Sequence, residues 1–168
     1  MSKIEVVSKV NPASVAHWWH RNRLDRSVIA HWRRIQRPSE AYLEPSFAAF
    51  VGDLGDKGYS SKTLERLAYS LALTSNVRED NKIMSFGQQL ATVLSGSESG
   101  KLRFRKLYEC GDQDLPLLFR ECRRGIKRLD GICNIQSLAG LVLKWPFSRK
   151  QLAQDFFEVY KEKNHNPK

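Results

Sequence analysis

Residues 114–129 read DLPLLFRECRRGIKRL, and this segment indicates the fold class most directly. At about 100° per residue, a helix here gathers its apolar side chains on one face. That face comprises Leu115, Leu118, Phe119, Cys122, Ile126 and Leu129. The opposite face carries cations: Arg120, Arg123, Arg124, Lys127 and Arg128. The segment therefore predicts an amphipathic helix, with one face toward a core and a basic face toward solvent.

The charge pattern of this helix points to a polyanionic partner. Glu121 is the only acid between Asp114 and Asp130. A solvated face usually mixes signs, because like charges three or four residues apart cost stability. A bound anion would remove that cost, and the planar guanidinium group suits phosphate oxygens.

Two other predicted helices extend the basic character. The helix before residue 114 adds Lys101, Arg103, Arg105 and Lys106, so nine cations fall within residues 101–128. A helix over residues 25–37 adds Arg26, Arg33, Arg34 and Arg37. Those four could instead lie at a solvated helix end, where cations complement the helix dipole. That effect is worth only about 0.3–1 kcal/mol and accounts for one or two charges rather than four.

The composition agrees with a folded protein that binds nucleic acid. The 168 residues include 28 Lys and Arg against 18 Asp and Glu, a formal net charge of +10, and 41% are hydrophobic, enough to form a core. Few Asn or Gln residues stand among the cations, so contact with the phosphate backbone is favoured over base recognition. Exposed aromatic side chains for base stacking are not evident, because most Trp and Phe residues lie on apolar stripes.

Helix-start signals recur along the chain, and no alternating strand pattern is convincing. Side chains suited to N-caps stand before apolar periodic segments: Asn11, Asp25, Ser60 or Ser61, Ser85, Asp114 and Asn134. The stretch SGSESG at residues 95–100 is typical of a linker. We therefore predict an all-α fold of two small helical bundles packed together, residues 1–95 and residues 96–168. The stretch could also be a long turn within one bundle.

Catalytic and metal-binding motifs are lacking. His17, His20 and His31 have no carboxylate or Cys at a spacing that would complete a metal site. The acid pairs Glu79/Asp80 and Asp53/Asp56 could belong to a nuclease, but their places near helix ends and loops favour caps or turns. No phosphate-binding loop, dinucleotide fingerprint or nucleophile motif occurs. We predict no enzymatic activity, no catalytic residue, no metal and no cofactor.

The cysteines and the N-terminus predict a cytoplasmic protein. Cys110, Cys122 and Cys133 are odd in number and lack C-x-x-C spacing, which indicates reduced thiols in the core and a reducing compartment. No signal peptide and no run of about 20 apolar residues is present.

Short motifs along nearly the whole chain resemble the CasB family, the small subunits of Cascade, which is the type I-E CRISPR effector complex. They are Asp25-Arg26, Ala30 to Arg34 (AHWRR) with Pro38 beyond, Pro45 and Phe47, Ser85 to Ala91 (SFGQQLA), Arg103 to Leu107 (RFRKL), Arg123-Arg124, and Leu152 to Phe156 (LAQDF). The order, the spacing and the total length carry the resemblance. Glu109 and Pro116 depart from the family pattern.

The resemblance implies an all-helical, non-catalytic subunit for antiviral defence. It implies contacts with the backbone and large Cascade subunits, the guide RNA, the target DNA and a second copy of the chain, with no membrane partner. The subunit would stabilise the R-loop and hold the displaced strand. The matched basic positions are Arg33, Arg34, Arg103, Arg120, Arg123 and Arg124. Helix geometry alone adds Arg105, Lys106, Lys127 and Arg128 to these nucleic-acid-binding candidates.

Three other functions remain open from the sequence. A free-standing helical DNA- or RNA-binding regulator would need a recognition helix with base-reading side chains, and none is clear. A small nucleic-acid enzyme would need an active site assembled from scattered residues. A structural bundle could use its basic faces to meet acidic proteins.

Overall fold

The computed structural model describes residues 9–55 and 58–165, with side chains up to residue 162. These residues form ten helices: α1 (Pro12–Asn22), α2 (Arg26–Arg34), α3 (Pro38–Ala41), α4 (Pro45–Asp53), α5 (Ser61–Thr74), α6 (Phe86–Leu94), α7 (Glu98–Tyr108), α8 (Leu115–Arg128), α9 (Ile135–Leu143) and α10 (Arg149–His165). The predicted all-α class is confirmed. One short pair of parallel strands, β1 (Glu79–Asp80) and β2 (Ile132–Cys133), was not predicted.

The residues predicted as N-caps do lie at helix starts, and their side chains accept hydrogen bonds from the first turn. Each orphan backbone N–H at a helix start needs an acceptor, and a short polar side chain supplies it. Ser85 accepts from the N–H of Gln88, whose side chain in turn accepts from the N–H of Ser85. Asn134 accepts from the N–H of Ser137 at 3.0 Å. The helix that carries Lys101, Arg103, Arg105 and Lys106 begins at Glu98.

Two central helices organise the core. Residues 67–74 of α5 are all buried, and α5 packs against α9, which also packs against α1. The other large contact joins α6 to α10. All four Trp side chains are buried, and Trp18 meets the ring of Trp32 edge-on at 5.6 Å. The three cysteines are buried and free, as predicted.

The linker-like stretch at residues 95–100 is a tight turn. Ser95 is buried, Ser97 caps α7, and the helix starts at Glu98. A Cβ at Gly100 would lie only 1.9 Å from the carbonyl oxygen of Leu94, so α6 and α7 meet closely here. Helices from both sides of residue 95 pack together, as α5 does with α9. The division into bundles at residues 95 and 96 stays a prediction.

The strand pair connects the end of α5 with the end of α8. Glu79 pairs with Ile132 and Asp80 with Cys133. The carboxylate of Asp80 accepts from the N–H of Ile135 at 3.1 Å and lies 3.0 Å from His20 Nε2. Asp80 therefore has a structural role at the start of α9 and against α1. Asp56, its counterpart in the other acid pair, lies outside the described residues.

In the part of the chain that the structure describes, no group of three His, Cys, Asp or Glu side chains could hold a metal ion. No helix among these residues is long and apolar enough to cross a membrane.

Candidate nucleic-acid interface

Helix α8 has the predicted orientation. Asp114 caps it by accepting from the N–H of Leu117 at 3.1 Å, and Pro116 lies in the first turn, where a missing N–H costs nothing. The apolar face is buried except for Leu129, which is half-buried. On the other face Arg120, Arg124 and Lys127 are exposed. The remaining two cations, Arg123 and Arg128, are half-buried.

A groove of about 840 Å³ runs beside the C-terminal half of α8. We call it the basic groove. Its lining residues are Arg33, Asn76, Arg78, Arg123, Arg124, Ile126, Lys127, Asp130 and Gly131. Five cations and one acid thus line a single open depression. An anionic chain would be attracted here, because like charges in a cleft add their fields.

Two of the arginines are held in place by protein acceptors. The Nε of Arg33 donates to the carbonyl oxygen of Ser75 at 2.7 Å, at the C-terminus of α5. The Nη1 of Arg123 donates to Gln36 Oε1 at 2.9 Å, and its guanidinium lies 5.5 Å from the ring centre of Phe119. Each guanidinium has five N–H donors. Each therefore retains donors for a phosphate, with less side-chain entropy left to lose on binding.

Glu121 lies buried at the base of the basic face. Its side chain is 7% exposed, and Oε1 accepts from Arg124 Nη1 at 2.9 Å. Arg120 Nε lies 3.7 Å from the same oxygen. Arg120 and Arg124 therefore also stabilise a buried carboxylate, a role that the helical pattern did not reveal. Because Glu121 partly neutralises them, Arg120 and Arg124 should attract an external anion less strongly than Lys127 does.

Cations from α7 and α8 come together at a second place. Burial lowers the pKa of Arg128, and the nearby guanidiniums of Arg103 and Arg124 lower it further against the opposing effect of Glu121. The guanidinium of Arg103 on α7 thus acts electrostatically on Arg128 of α8.

The other predicted residues lie outside the basic groove. Arg105 Nε donates to Glu109 Oε1 at 2.7 Å, and this hydrogen bond raises the pKa of Arg105. Glu109, one of the two departures from the family pattern, thus partly neutralises Arg105. Lys106 is exposed on α7 and Arg34 is exposed on α2. Neither of them lines the groove.

Exposed aromatic rings do occur, contrary to the sequence expectation. Phe147 is 67% exposed and Phe157 is 48% exposed. Phe157 lies beside Tyr108 in a separate depression of about 580 Å³ along α10. Phe157 points outward because the preceding residue, Phe156, occupies the core. The rings of Phe156 and Phe104 stack there with their centres 3.7 Å apart.

Sequence reasoning missed Asn76 and Arg78. Both follow α5 and precede β1, in a turn with no helical periodicity. No local pattern could have placed them beside α8, because the β1–β2 pairing that does so joins positions more than fifty residues apart.

Comparison with known proteins agrees with this fold. The family model for the CRISPR-associated protein Cse2 matches residues 17–157, which is most of the chain and includes all ten predicted basic site residues. Among solved structures, the chain is similar to one in the crystal structure of E. coli Cascade bound to a PAM-containing dsDNA target. The TM-score is 0.63 and the identity 24%, over 89% of this chain and 95% of that one. At this identity the likeness concerns the fold. A search of curated proteins finds no match.

Proposed function

Because the chain belongs to the Cse2 family of CRISPR-associated proteins, also called CasB, we propose that it is the non-catalytic small subunit of a type I-E Cascade complex. Its partners would be the backbone and large subunits, the guide RNA, the target DNA and a second copy of the chain. The basic groove is the observation that supports a nucleic-acid-binding role for this subunit.

The groove suits a phosphate backbone better than base edges. Arg33, Arg78, Arg123, Arg124 and Lys127 all line it, together with a single amide side chain, Asn76. Contacts from Arg and Lys to phosphates position a strand without reading its sequence. Binding should therefore be independent of sequence and should weaken steeply with salt.

Such a clamp would affect the opening of target DNA. The guide RNA–DNA hybrid is about as stable as the DNA duplex it replaces, so strand exchange is nearly balanced. A protein that holds the displaced strand shifts that balance toward the R-loop. Sequence choice is left to the guide RNA, and the subunit needs no base-reading side chains.

The test is the double variant Arg123→Ala/Lys127→Ala. Neither residue pairs with Glu121, so the buried carboxylate keeps its partners. If each cation contacts one phosphate, the slope of log binding constant against log salt concentration should become shallower by about 1.4 for single-stranded DNA. At 0.1 M salt the affinity should fall by about 25-fold. In a reconstituted complex, guide RNA should still load while the R-loop lifetime shortens.

The matched control is Lys150→Ala/Lys161→Ala, which removes two exposed cations from the separate depression along α10. This variant should retain the wild-type salt slope. Equal losses in both variants would mean that only net charge matters. An unchanged R-loop lifetime in the groove variant would contradict the proposed role.

A second experiment tests the proposal that the subunit is not an enzyme. Incubation of the purified protein with DNA and Mg²⁺ should leave the DNA intact, and metal-dependent cleavage would contradict this proposal.

A further inference from the structure

One cation of the basic groove, Arg78, lies outside all the basic helices that the sequence predicts. Arg78 is followed by Glu79 and Asp80, and its surroundings in the sequence suggest a turn. In the structure its side chain is exposed and lines the same groove as Arg123 and Lys127 of α8.

Backbone hydrogen bonds tie Arg78 to the chain that leaves α8. The N–H of Arg78 donates to the carbonyl oxygen of Gly131 at 2.7 Å, and the N–H of Glu79 donates to the same oxygen at 3.2 Å. One step further, Asn81 donates to Cys133 at 2.9 Å. These bonds fix the backbone of Arg78 relative to the C-terminal end of α8.

Gly131 allows the two segments to approach closely. Its φ is +75°, a left-handed conformation that favours glycine. A Cβ at this position would lie 3.1 Å from the Cβ of Arg78 and 3.3 Å from its backbone nitrogen. A side chain at position 131 would be strained by the positive φ and would require the backbone of Arg78 to shift by a few tenths of an ångström.

The acids around Arg78 leave it available. Asp80 is occupied by His20 and by the N–H of Ile135. Among the described residues that line the groove, Asp130 is the one acid, against five cations. Among the described residues, no ion pair within 4.0 Å includes the guanidinium of Arg78.

We propose that Arg78 binds a phosphate of the single-stranded nucleic acid in the basic groove, and that the β1–β2 pair with Gly131 positions it there. This inference rests on the proposed function, because it assumes that the groove binds a nucleic-acid backbone. It adds to that function a ligand residue from the segment before β1, so the strand is held from that segment as well as from α2 and α8.

The experiment measures binding of a fluorescent oligothymidine to the purified full chain over a range of salt concentrations. The Arg78→Ala variant should lower the log–log slope by about 0.7 and weaken binding at 0.1 M salt about fivefold. The Arg78→Lys variant keeps the charge and should restore the slope. Lys150→Ala, which removes an exposed cation from the α10 depression, should behave as wild type.

Melting temperatures of all variants would show that the fold is intact. If Arg78→Ala binds as wild type while Arg123→Ala/Lys127→Ala loses affinity, the proposal for Arg78 is wrong and the groove function stands. If none of these variants loses affinity, the groove itself is not the interface. If Lys150→Ala loses as much as Arg78→Ala, the effect is one of net charge and the proposal fails.

Discussion

Replacing Arg124 with Ala should destabilise the fold, although Arg124 stands on the basic face. Its Nη1 lies 2.9 Å from Glu121 Oε1, and the Glu121 side chain is only 7% exposed. Removing the partner of a fully buried charge costs about 3–5 kcal/mol, whereas an exposed pair contributes about 0.2–1 kcal/mol.

The pair is buried at one end only. The Arg124 side chain is 52% exposed, and Arg120 remains 3.7 Å from the same carboxylate oxygen. We therefore expect a loss of about 1–2 kcal/mol in the free energy of unfolding, between the two limits. For a chain of this size, that corresponds to a fall of about 2–8 °C in melting temperature.

Thermal unfolding followed by circular dichroism measures the effect, and a double-mutant cycle assigns it to the pair. Glu121→Gln in the Arg124→Ala background removes the buried charge that has lost its nearer partner, so it should recover part of the lost stability. Lys127→Ala, on the same helix and without an acidic partner among the described ion pairs, should change the melting temperature little. An unchanged melting temperature in Arg124→Ala would refute the reasoning that Glu121 depends on this pair.

Two remaining predictions concern the core. Gly100→Ala should lower the free energy of unfolding by about 3 kcal/mol or more, because its Cβ would lie 1.9 Å from the backbone oxygen of Leu94. Gly96→Ala is the control, because a Cβ there would have nothing within 4 Å. Thermal unfolding should place its stability within about 0.5 kcal/mol of wild type. Similar melting temperatures for the two variants would contradict the close approach of α6 and α7. Burial raises the pKa of Cys110 to about 11 and that of Cys133 to about 12, so at pH 8 only about one Cys110 thiol in a thousand is ionised. Iodoacetamide at pH 8 should therefore label the native protein slowly and label all three cysteines in urea, and rapid labelling of the native protein would show that the thiols are not held protonated.

Local hydrogen bonds explain why the sequence predicted most helices well. A cap joins residues two or three apart, so Asp25, Ser85 and Asn134 mark their helix starts in any context where the helix forms. The faces of α8 follow from the same short range, since 3.6 residues per turn fix which side chains stand together. The short helix α3 was missed, because its four residues contain little more than the start signal of Pro38.

Short-range patterns in the sequence thus predicted the helical class, most helix starts and the basic face of α8, together with the family resemblance that the Cse2 match confirms. Which cations share a groove depends instead on how distant parts of the chain pack together. Arg33 and Arg78 reach α8 through long-range packing and the pairing of β1 with β2, and no periodicity encodes contacts between distant positions. The same holds for Glu121, an acid that appears in the sequence as an interruption of the basic face. Its burial makes it the anchor of two arginines, because a carboxylate removed from water must keep its partners.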